Sequence, residues 1–394
     1  MKLAGCRRRL AGSSHVSPGS SIVRRLLSTS LLCAPALLSF IACNPASLST
    51  GERDRFAVIA YYSGGGRGVE DAPVEKLTHI IYSFLHLRGN VLALDTPRDS
   101  AAIASLVSLK KRNPDLKVML SLGGWGGCAP CSGVFATSGG RKEFAGSALR
   151  VLSDTHTDGL DIDWEYPAFE GYPGHRYAPE DRHNFTLLMK ELRDALGAGY
   201  ELSFAAGGFT DCLLASIEWK EVMPYVDRVN VMTYDLVNAS STVTGHQTPL
   251  FSSPMQREST DNALRILDSL GVEAKKVVIG SAFYARVWGG VRDTNNGLFQ
   301  PGRFVRFIPY RDLDGFFRQN GGFREFRDST TQAPFSFSAE RGLFATYDDR
   351  ISVALKTNYA MSRRLGGIMF WELKGDIPAY TLIDAIDSVR TARR

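Results

Sequence analysis

The sequence predicts an α/β fold, namely a TIM (β/α)8 barrel with a small α+β insertion domain between strand 7 and the following helix. Short apolar runs alternate with longer helical patterns, which is the rhythm of βα units around a parallel barrel. The length of 394 residues suits one such barrel with an insertion better than several small domains. Acidic and aromatic residues gather where the apolar runs end, and barrel sites lie at the carboxyl ends of strands.

Eight segments have the length and composition of barrel strands. They are 56–62, 79–84, 117–122, 159–163, 201–206, 228–232, 277–282 and 366–371. Helical patterns fill the gaps at 99–112, 140–155, 179–196, 260–270 and 349–364.

The rhythm breaks after the seventh strand. Residues 286–346 are rich in Gly, Phe and Arg, with short β-like pieces at 302–307 and 342–345. Structureless loops of that length are uncommon in compact domains, so the segment predicts an inserted domain. We therefore assign the barrel to 56–285 and 346–394 and the insertion domain to 286–345.

The first residues have the pattern of an export signal. Arg24 and Arg25 precede an apolar run that is too short and too interrupted for a typical membrane span. The run ends in Phe40-Ile41-Ala42-Cys43, which resembles a bacterial lipoprotein cleavage box. We expect residues 1–42 to be a lipoprotein-type signal, Cys43 to be lipidated and residues 43–55 to form a tether. The protein would be anchored to a bacterial membrane, at the cell surface or in the periplasm. Plain secretion is the alternative, because Phe40 is unusual at its position.

The basic character of the chain comes from this leader. Residues 1–42 hold six Lys or Arg and no acidic residue, so their removal takes the basic count from 46 to 40, against 41 acidic residues. The remaining chain is not basic, and nothing in it indicates a nucleic-acid partner.

Three cysteines remain beyond Cys43. Cys128-Ala-Pro-Cys131 has the spacing of a redox or zinc site, but no second Cys or His pair lies nearby in the sequence. In an oxidising compartment a local disulfide is the expected outcome. Cys212 is the alternative partner for either cysteine.

An acidic run that begins at Asp158, D-G-L-D-I-D-W-E-Y-P, carries the chemistry. In a strand, alternate residues point to one face, so Asp161, Asp163 and Glu165 should lie close together. Like charges that close raise the pKa of at least one carboxyl, and a carboxyl that stays protonated near neutral pH can act as a general acid. The alternatives are a solvated acidic edge and a Mg or Ca site.

The acidic run resembles the D-G-x-D-x-D-x-E signature of the glycoside hydrolase family 18 chitinases. Further motifs of that family occur in the family's order, from about Phe56 to the C-terminus. They are Ser121-Leu122-Gly123-Gly124-Trp125, Met232-Thr233-Tyr234-Asp235 and Phe370-Trp371-Glu372. Many members of the family carry an α+β insertion at the same point, which would form one wall of a substrate cleft.

The resemblance implies retaining hydrolysis assisted by the substrate itself. Glu165 would protonate the leaving oxygen, and the carbonyl oxygen of the sugar's 2-acetamido group would attack to give an oxazolinium intermediate. Asp163 would accept the acetamido N–H, and Asp161 would tune Asp163 through a shared proton. This chemistry implies no cofactor and no metal.

The other motifs would complete the site. Tyr234 would donate to the acetamido carbonyl, and Asp235 would hydrogen-bond the acetamido group or Glu165. Met232 would pack beneath the sugar, and Trp371 would form the floor on which it stacks. Further expected substrate-binding residues are Tyr61, Phe84, Trp125, Tyr166, Tyr284 and Arg286. His246 is expected to be an exposed loop residue.

These expectations favour a chitinase that cleaves β-1,4 bonds between N-acetylglucosamine units of chitin or chito-oligosaccharides, acting as a monomer. An endo-β-N-acetylglucosaminidase acting on N-glycans would share the mechanism, but the insertion and Trp371 favour chitin. A non-catalytic chitin-binding lectin is the third hypothesis, and the presence of Asp161, Asp163 and Glu165 argues against it. The only expected contact with a membrane is the lipid anchor at Cys43.

Overall fold

The computed structural model of the chain describes residues 56–66, 68–376 and 378–392. The predicted signal, the tether and Cys43 lie outside the described residues. Within the described residues, no helix combines the length and the apolar composition that crossing a membrane requires.

Fourteen strands form two sheets in the described part of the chain. They are β1 Ala57–Tyr62, β2 His79–Arg88, β3 Val91–Ala93, β4 Lys117–Gly123, β5 Gly159–Asp163, β6 Glu201–Gly207, β7 Arg228–Met232, β8 Val277–Ala282, β9 Tyr284–Gly289, β10 Arg303–Pro309, β11 Phe323–Arg327, β12 Pro334–Ser338, β13 Leu343–Thr346 and β14 Gly367–Trp371.

Eight of these strands close into a parallel barrel in the order β1-β2-β4-β5-β6-β7-β8-β14, with β14 pairing back to β1. The short strand β3 extends β2 as an antiparallel hairpin. The predicted TIM barrel is thus confirmed, and each of its eight strands overlaps a segment expected from the sequence.

Helices follow most of the barrel strands. The α-helices are Pro97–Ser108, Cys131–Phe135, Ser138–Thr155, Asp181–Leu196, Thr210–Ala215, Trp219–Val222, Thr260–Ser269, Tyr310–Asn320, Arg350–Ser362 and Thr381–Ala392. Five of them had no counterpart among the expected helices, namely Cys131–Phe135, Thr210–Ala215, Trp219–Val222, Tyr310–Asn320 and Thr381–Ala392.

The alternation of side chains along each strand produces two separate layers. On β5, Leu160 and Ile162 are fully buried in the large apolar cluster that continues into the helices, as the sequence pattern predicts. The intervening Asp161 and Asp163 are also buried, but they belong to the interior of the barrel. A smaller cluster that includes Tyr61, Met232 and Met369 fills that interior.

Strands β9 to β13 form a separate antiparallel sheet in the order β10-β9-β13-β12-β11. Helix Tyr310–Asn320 packs on one face of this sheet, and an aromatic cluster around Trp288 and Phe344 fills part of the other. The sheet begins at Tyr284, two residues before the expected insertion boundary. Its treatment as a separate domain stays a prediction.

Two smaller expectations have different outcomes. Cys128 and Cys131 form the local disulfide, and Cys212 is buried and free. The expectation of an exposed His246 is wrong: its side chain is buried, with Nε2 3.1 Å from Oδ2 of Asp328. The partner comes from the loop after β11, which the local sequence around His246 does not reveal.

Candidate active site

Asp161 lies in a layer of polar residues inside the barrel. The register of the parallel strands places Ser121 of β4 and Ser203 of β6 beside it. Its carboxylate accepts hydrogen bonds from Ser203 Oγ at 2.6 Å, Ser121 Oγ at 2.8 Å, and Tyr61 Oη and Asn230 Nδ2 at 3.1 Å. Burial raises the pKa of Asp161, and these four hydrogen bonds oppose the rise.

Asp163 is buried like Asp161 but lacks a comparable set of hydrogen-bond donors among the described residues. Its Oδ1 atom is buried and has no hydrogen-bond partner within the described residues. Burial, then the charge of Glu165 and then that of Asp161, hold the pKa of Asp163 well above its usual range. A proton shared by Asp161 and Asp163, as expected from the sequence, requires a hydrogen bond between the two carboxyl groups. No such hydrogen bond is present among the described residues.

Glu165 lies two residues after the end of β5 and is half-buried at the mouth of the barrel. Burial raises the pKa of Glu165 to about 7; a hydrogen bond with Tyr166 opposes the rise and the charge of Asp235 adds to it. A carboxyl with this pKa carries a proton for much of the time near neutral pH. It can therefore act as a general acid.

Asp235 follows β7 and faces the five-stranded sheet. Its Oδ1 accepts a hydrogen bond from Tyr284 Oη at 2.8 Å, and its Oδ2 accepts one from Arg286 Nη2 at 2.5 Å. Arg286 Nε also bonds Oδ1, which completes a bidentate ion pair. The hydrogen bond expected between Asp235 and Glu165 is absent among the described residues. The influence of Asp235 on Glu165 is electrostatic instead.

Tyr234 and Met232 line the barrel interior above this acidic group. Tyr234 is largely buried, and its hydroxyl contacts only the weak acceptor Met369 Sδ, at 3.8 Å, among the hydrogen bonds described for it. A Cβ at Gly280 would lie 2.8 Å from the Tyr234 ring, so the glycine makes room for the ring. Burial, and then the charge of Asp163, hold the pKa of Tyr234 well above its usual range, so its hydroxyl remains a donor.

Trp371 ends β14 and is half-buried in the cleft. Phe84 stacks beside it, with ring centroids 5.5 Å apart and an interplanar angle of 11°. The Tyr61 ring lies 6.1 Å away, but Tyr61 is buried beneath the cleft and its hydroxyl serves Asp161.

The two remaining aromatic candidates follow β4 and β5. Trp125 is 58% exposed and meets the edge of Tyr172, with centroids 5.6 Å apart. Tyr166 is half-buried and packs edge-on against Phe209 and Phe169. Trp125 is therefore the aromatic side chain of the predicted set that is most open to a ligand.

The structure brings Asp161, Asp163, Glu165 and Tyr234 together, as the sequence predicts. Their proximity is evident from the pKa of Tyr234, which burial raises and the charges of all three carboxyl groups raise further. Sequence reasoning missed the donors to Asp161, which are Ser121, Ser203 and Asn230. A signal existed: each is a lone polar residue inside an otherwise apolar strand. In the described residues, no group of three or more His, Cys, Asp or Glu side chains could hold a metal ion.

Comparisons with known proteins agree with this geometry. The family model for "Glycosyl hydrolases family 18" matches residues 57–376. The chain is 31% identical to Chitinase A1 of Niallia circulans, over 89% of this chain and 60% of that protein. It is 30% identical to Chitinase B of Serratia marcescens, over 81% of this chain and 77% of that protein.

A solved structure gives the same result at the level of the fold. The family 18 N-acetylglucosaminidase from Paenibacillus barengoltzii superposes with a TM-score of 0.77 at 34% identity, covering 85% of this chain and 99% of that one. The family model spans most of the chain and includes all four motifs of the site. This protein therefore belongs to family 18 of the glycosyl hydrolases.

Proposed function

We propose that the protein hydrolyses β-1,4 bonds between N-acetylglucosamine units of chitin or chito-oligosaccharides, with retention of configuration and with the substrate's acetamido group as nucleophile. One observation carries the proposal. Glu165, a carboxyl group with a pKa of about 7, lies at the cleft next to Asp163, whose buried Oδ1 atom has no partner among residues 56–66, 68–376 and 378–392.

Each of these two groups fits one half of the first chemical step. Glu165 gives its proton to the glycosidic oxygen as the bond to the anomeric carbon breaks, so the leaving sugar departs as an alcohol. The free Oδ1 of Asp163 accepts the acetamido N–H and turns the acetamido carbonyl oxygen towards the anomeric carbon. That oxygen forms the new bond, and a water later opens the resulting oxazolinium ion with Glu165 as base.

The surrounding groups support the charge that develops. The Tyr234 hydroxyl remains protonated and has only a weak acceptor, Met369 Sδ, so it is available to donate to the acetamido carbonyl. Four donors hold the Asp161 carboxyl group in place, and its charge acts on Asp163. The Tyr234 donor thus positions the attacking oxygen, and the negative charge of the carboxyl group favours the cationic intermediate.

The substrate class rests on the relatives and on the mechanism together. The relatives compared are named chitinases and an N-acetylglucosaminidase, and a 2-acetamido nucleophile requires an N-acetylated sugar at the cleavage site. The chain spans 60% of the length of Chitinase A1.

The test is to incubate purified protein with N-acetylglucosamine oligomers of two to six units and follow the anomeric form of the products by NMR. We expect cleavage with the β-anomer formed first. A high-mannose glycoprotein assayed in parallel tests the endo-β-N-acetylglucosaminidase hypothesis. Binding of the hexamer without any cleavage by the wild-type protein would favour the lectin hypothesis and contradict ours.

We also propose that residues 1–42 direct export and that lipidation of Cys43 anchors the protein to a bacterial membrane. The support is the sequence alone: a basic segment, an apolar run and a cysteine after Ser39-Phe40-Ile41-Ala42. We further propose that the catalytic chain acts as a monomer.

A further inference from the structure

Phe307 is an aromatic side chain that is exposed beside the candidate site, with 43% of its surface open to solvent. It lies on β10, which is an edge strand of the five-stranded sheet and pairs on one side only, with β9. Exposed apolar surface beside a cleft can mark a ligand-binding groove. The described residues supply a neighbour for one face of the ring.

The strand register fixes the direction of Phe307. It lies directly opposite Arg286, and residues opposite each other in an antiparallel pair share a face of the sheet. Arg286 reaches from that face to the carboxylate of Asp235. Ile308, the next residue, is buried on the opposite face with Leu313 of the helix. Phe307 therefore lies on the face that is turned to the cleft.

Phe307 also continues a line of aromatic rings that starts inside the barrel. The Tyr234 ring meets the edge of Tyr284, with centroids 6.2 Å apart. Phe307 stacks on Tyr284 at 4.7 Å with an interplanar angle of 28°. Tyr284 is 2% exposed, so the line passes from a buried ring at the site to an exposed one on the insertion sheet.

We propose that Phe307 is a substrate-binding residue whose ring stacks on the apolar face of a pyranose unit next to the one being cleaved. The inference rests on the proposed function, because it requires an oligosaccharide in the cleft. A flat ring with few rotatable bonds offers a large contact area at low entropic cost. Tyr284 beneath it holds the ring in place, which leaves the outer face for the sugar.

The competing reading is that Phe307 only covers Tyr284. The two readings predict different kinetics. Loss of a cover would disturb Tyr284 and its hydrogen bond to Asp235, and would change kcat and the pH dependence even for short substrates. Loss of a stacking surface would raise KM, and only for substrates long enough to reach it.

The experiment compares Phe307→Ala and Phe307→Trp with the wild-type protein on N-acetylglucosamine oligomers of two to six units. We expect Phe307→Ala to raise KM for the longer oligomers about two- to tenfold, with the loss carried by KM rather than kcat and the pH profile unchanged. Phe307→Trp should restore most of the affinity. Val305→Ala is the matched control, because Val305 is 49% exposed on the same edge strand. Its KM should equal that of the wild type.

The outcomes separate the two proposals. If the wild type cleaves the oligomers and Phe307→Ala has an unchanged KM, the proposed role of Phe307 is overturned but the proposed function stands. A lower kcat or a shifted pH profile with the dimer as substrate would support the covering role of Phe307. This result too would overturn the proposal that Phe307 binds substrate. Failure of the wild type to cleave any oligomer would instead overturn the proposed function.

Discussion

Asp161 and Asp163 lie on the same face of β5 and are both buried. Both carboxylate oxygens of Asp161 are hydrogen-bonded, whereas Oδ1 of Asp163 has no partner in the part of the chain that the structure describes. An unsatisfied buried carboxylate oxygen costs free energy, so it is retained where a ligand supplies the missing donor. Asp161 is thus held in place by its hydrogen bonds, whereas the Oδ1 atom of Asp163 can accept an N–H from a ligand.

Replacing Glu165 by Gln should remove the general acid while preserving its shape. We expect kcat on unactivated oligomers to fall about 10²–10⁴-fold, because an amide has no proton to give, whereas Kd for the hexamer stays close to that of the wild type. Turnover assays and calorimetry measure the two quantities. Wild-type turnover by this variant would remove Glu165 from the role of acid.

The same variant gives a check through thermal unfolding. The pKa of Glu165 is raised on folding, so the native state holds the proton to higher pH than the unfolded chain does. Ionisation of Glu165 therefore costs stability as pH rises from about 4.5 through about 7. We expect the Tm of Glu165→Gln, relative to wild type, to be higher at pH 8 than at pH 5.

Asp235→Asn should shift the pH profile. Glu165 must be protonated to act, so kcat/KM is expected to fall as pH rises through about 7. Asp235 adds to the raised pKa of Glu165, and loss of its charge lowers that pKa. The falling limb should then move to lower pH. Asp384→Asn, at a half-buried ion pair with Lys76 elsewhere on the barrel, is the control and should leave the limb in place. A limb that moves to higher pH would contradict the electrostatic role of Asp235.

Partly acetylated chitosan tests the nucleophile. If the acetamido oxygen attacks, an N-acetylated unit should occupy essentially every new reducing end, which sequencing of the products by mass spectrometry can determine. Asp163→Asn should lose most of the rate, because it weakens the acceptor that orients the acetamido group. Frequent glucosamine at the new ends would mean that a protein carboxylate attacks instead.

Lys356→Met tests a buried ion pair that the proposed chemistry does not use. Lys356 Nζ lies 2.7 Å from Oδ2 of Asp348, and both side chains are almost completely buried. Removing the lysine leaves the Asp348 charge buried and unpaired, so we expect a loss of about 3–5 kcal/mol in the free energy of unfolding.

Urea denaturation measures this loss. Two controls apply. Lys190→Met, at an exposed pair with Asp194, should have a negligible effect, and Lys356→Met combined with Asp348→Leu should recover part of the stability. A Lys356→Met protein as stable as the wild type would contradict the expected cost of an unpaired buried charge.

Cys43→Ala tests the anchor. If Cys43 is lipidated, the wild-type protein should fractionate with membranes when produced in a bacterial host, and the variant should escape processing as a lipoprotein. Mass spectrometry of the N-terminal peptide checks the acyl chains directly. A soluble wild-type protein whose N-terminus lies beyond Cys43 would indicate plain secretion.

The sequence predicted the barrel well because its strands are local apolar runs with clear ends; β5, β7 and β8 have the predicted bounds. Strand β11, Phe-Arg-Glu-Phe-Arg, was missed because its charged residues are exposed and its pairing partner β12 defines it as a strand. The burial of His246 and the ion pair of Asp235 with Arg286 could not be predicted from the sequence for a related reason. Each depends on a partner at least 51 residues away along the chain.

The Asp235–Arg286 pair joins the loop after β7 to the second residue after the start of β9, so the barrel's acidic group is neutralised by an arginine from the added sheet. The five-stranded sheet therefore contributes to the electrostatics of the site and cannot be exchanged for another without consequence. A shortened protein that keeps the barrel but loses Arg286 would leave the charge of Asp235 uncompensated near Glu165. This charge would raise the pKa of Glu165 further, so the protein would stay active under more alkaline conditions. Transplanting a foreign insertion onto this scaffold would consequently retune the working pH unless the graft brought its own cation to Asp235.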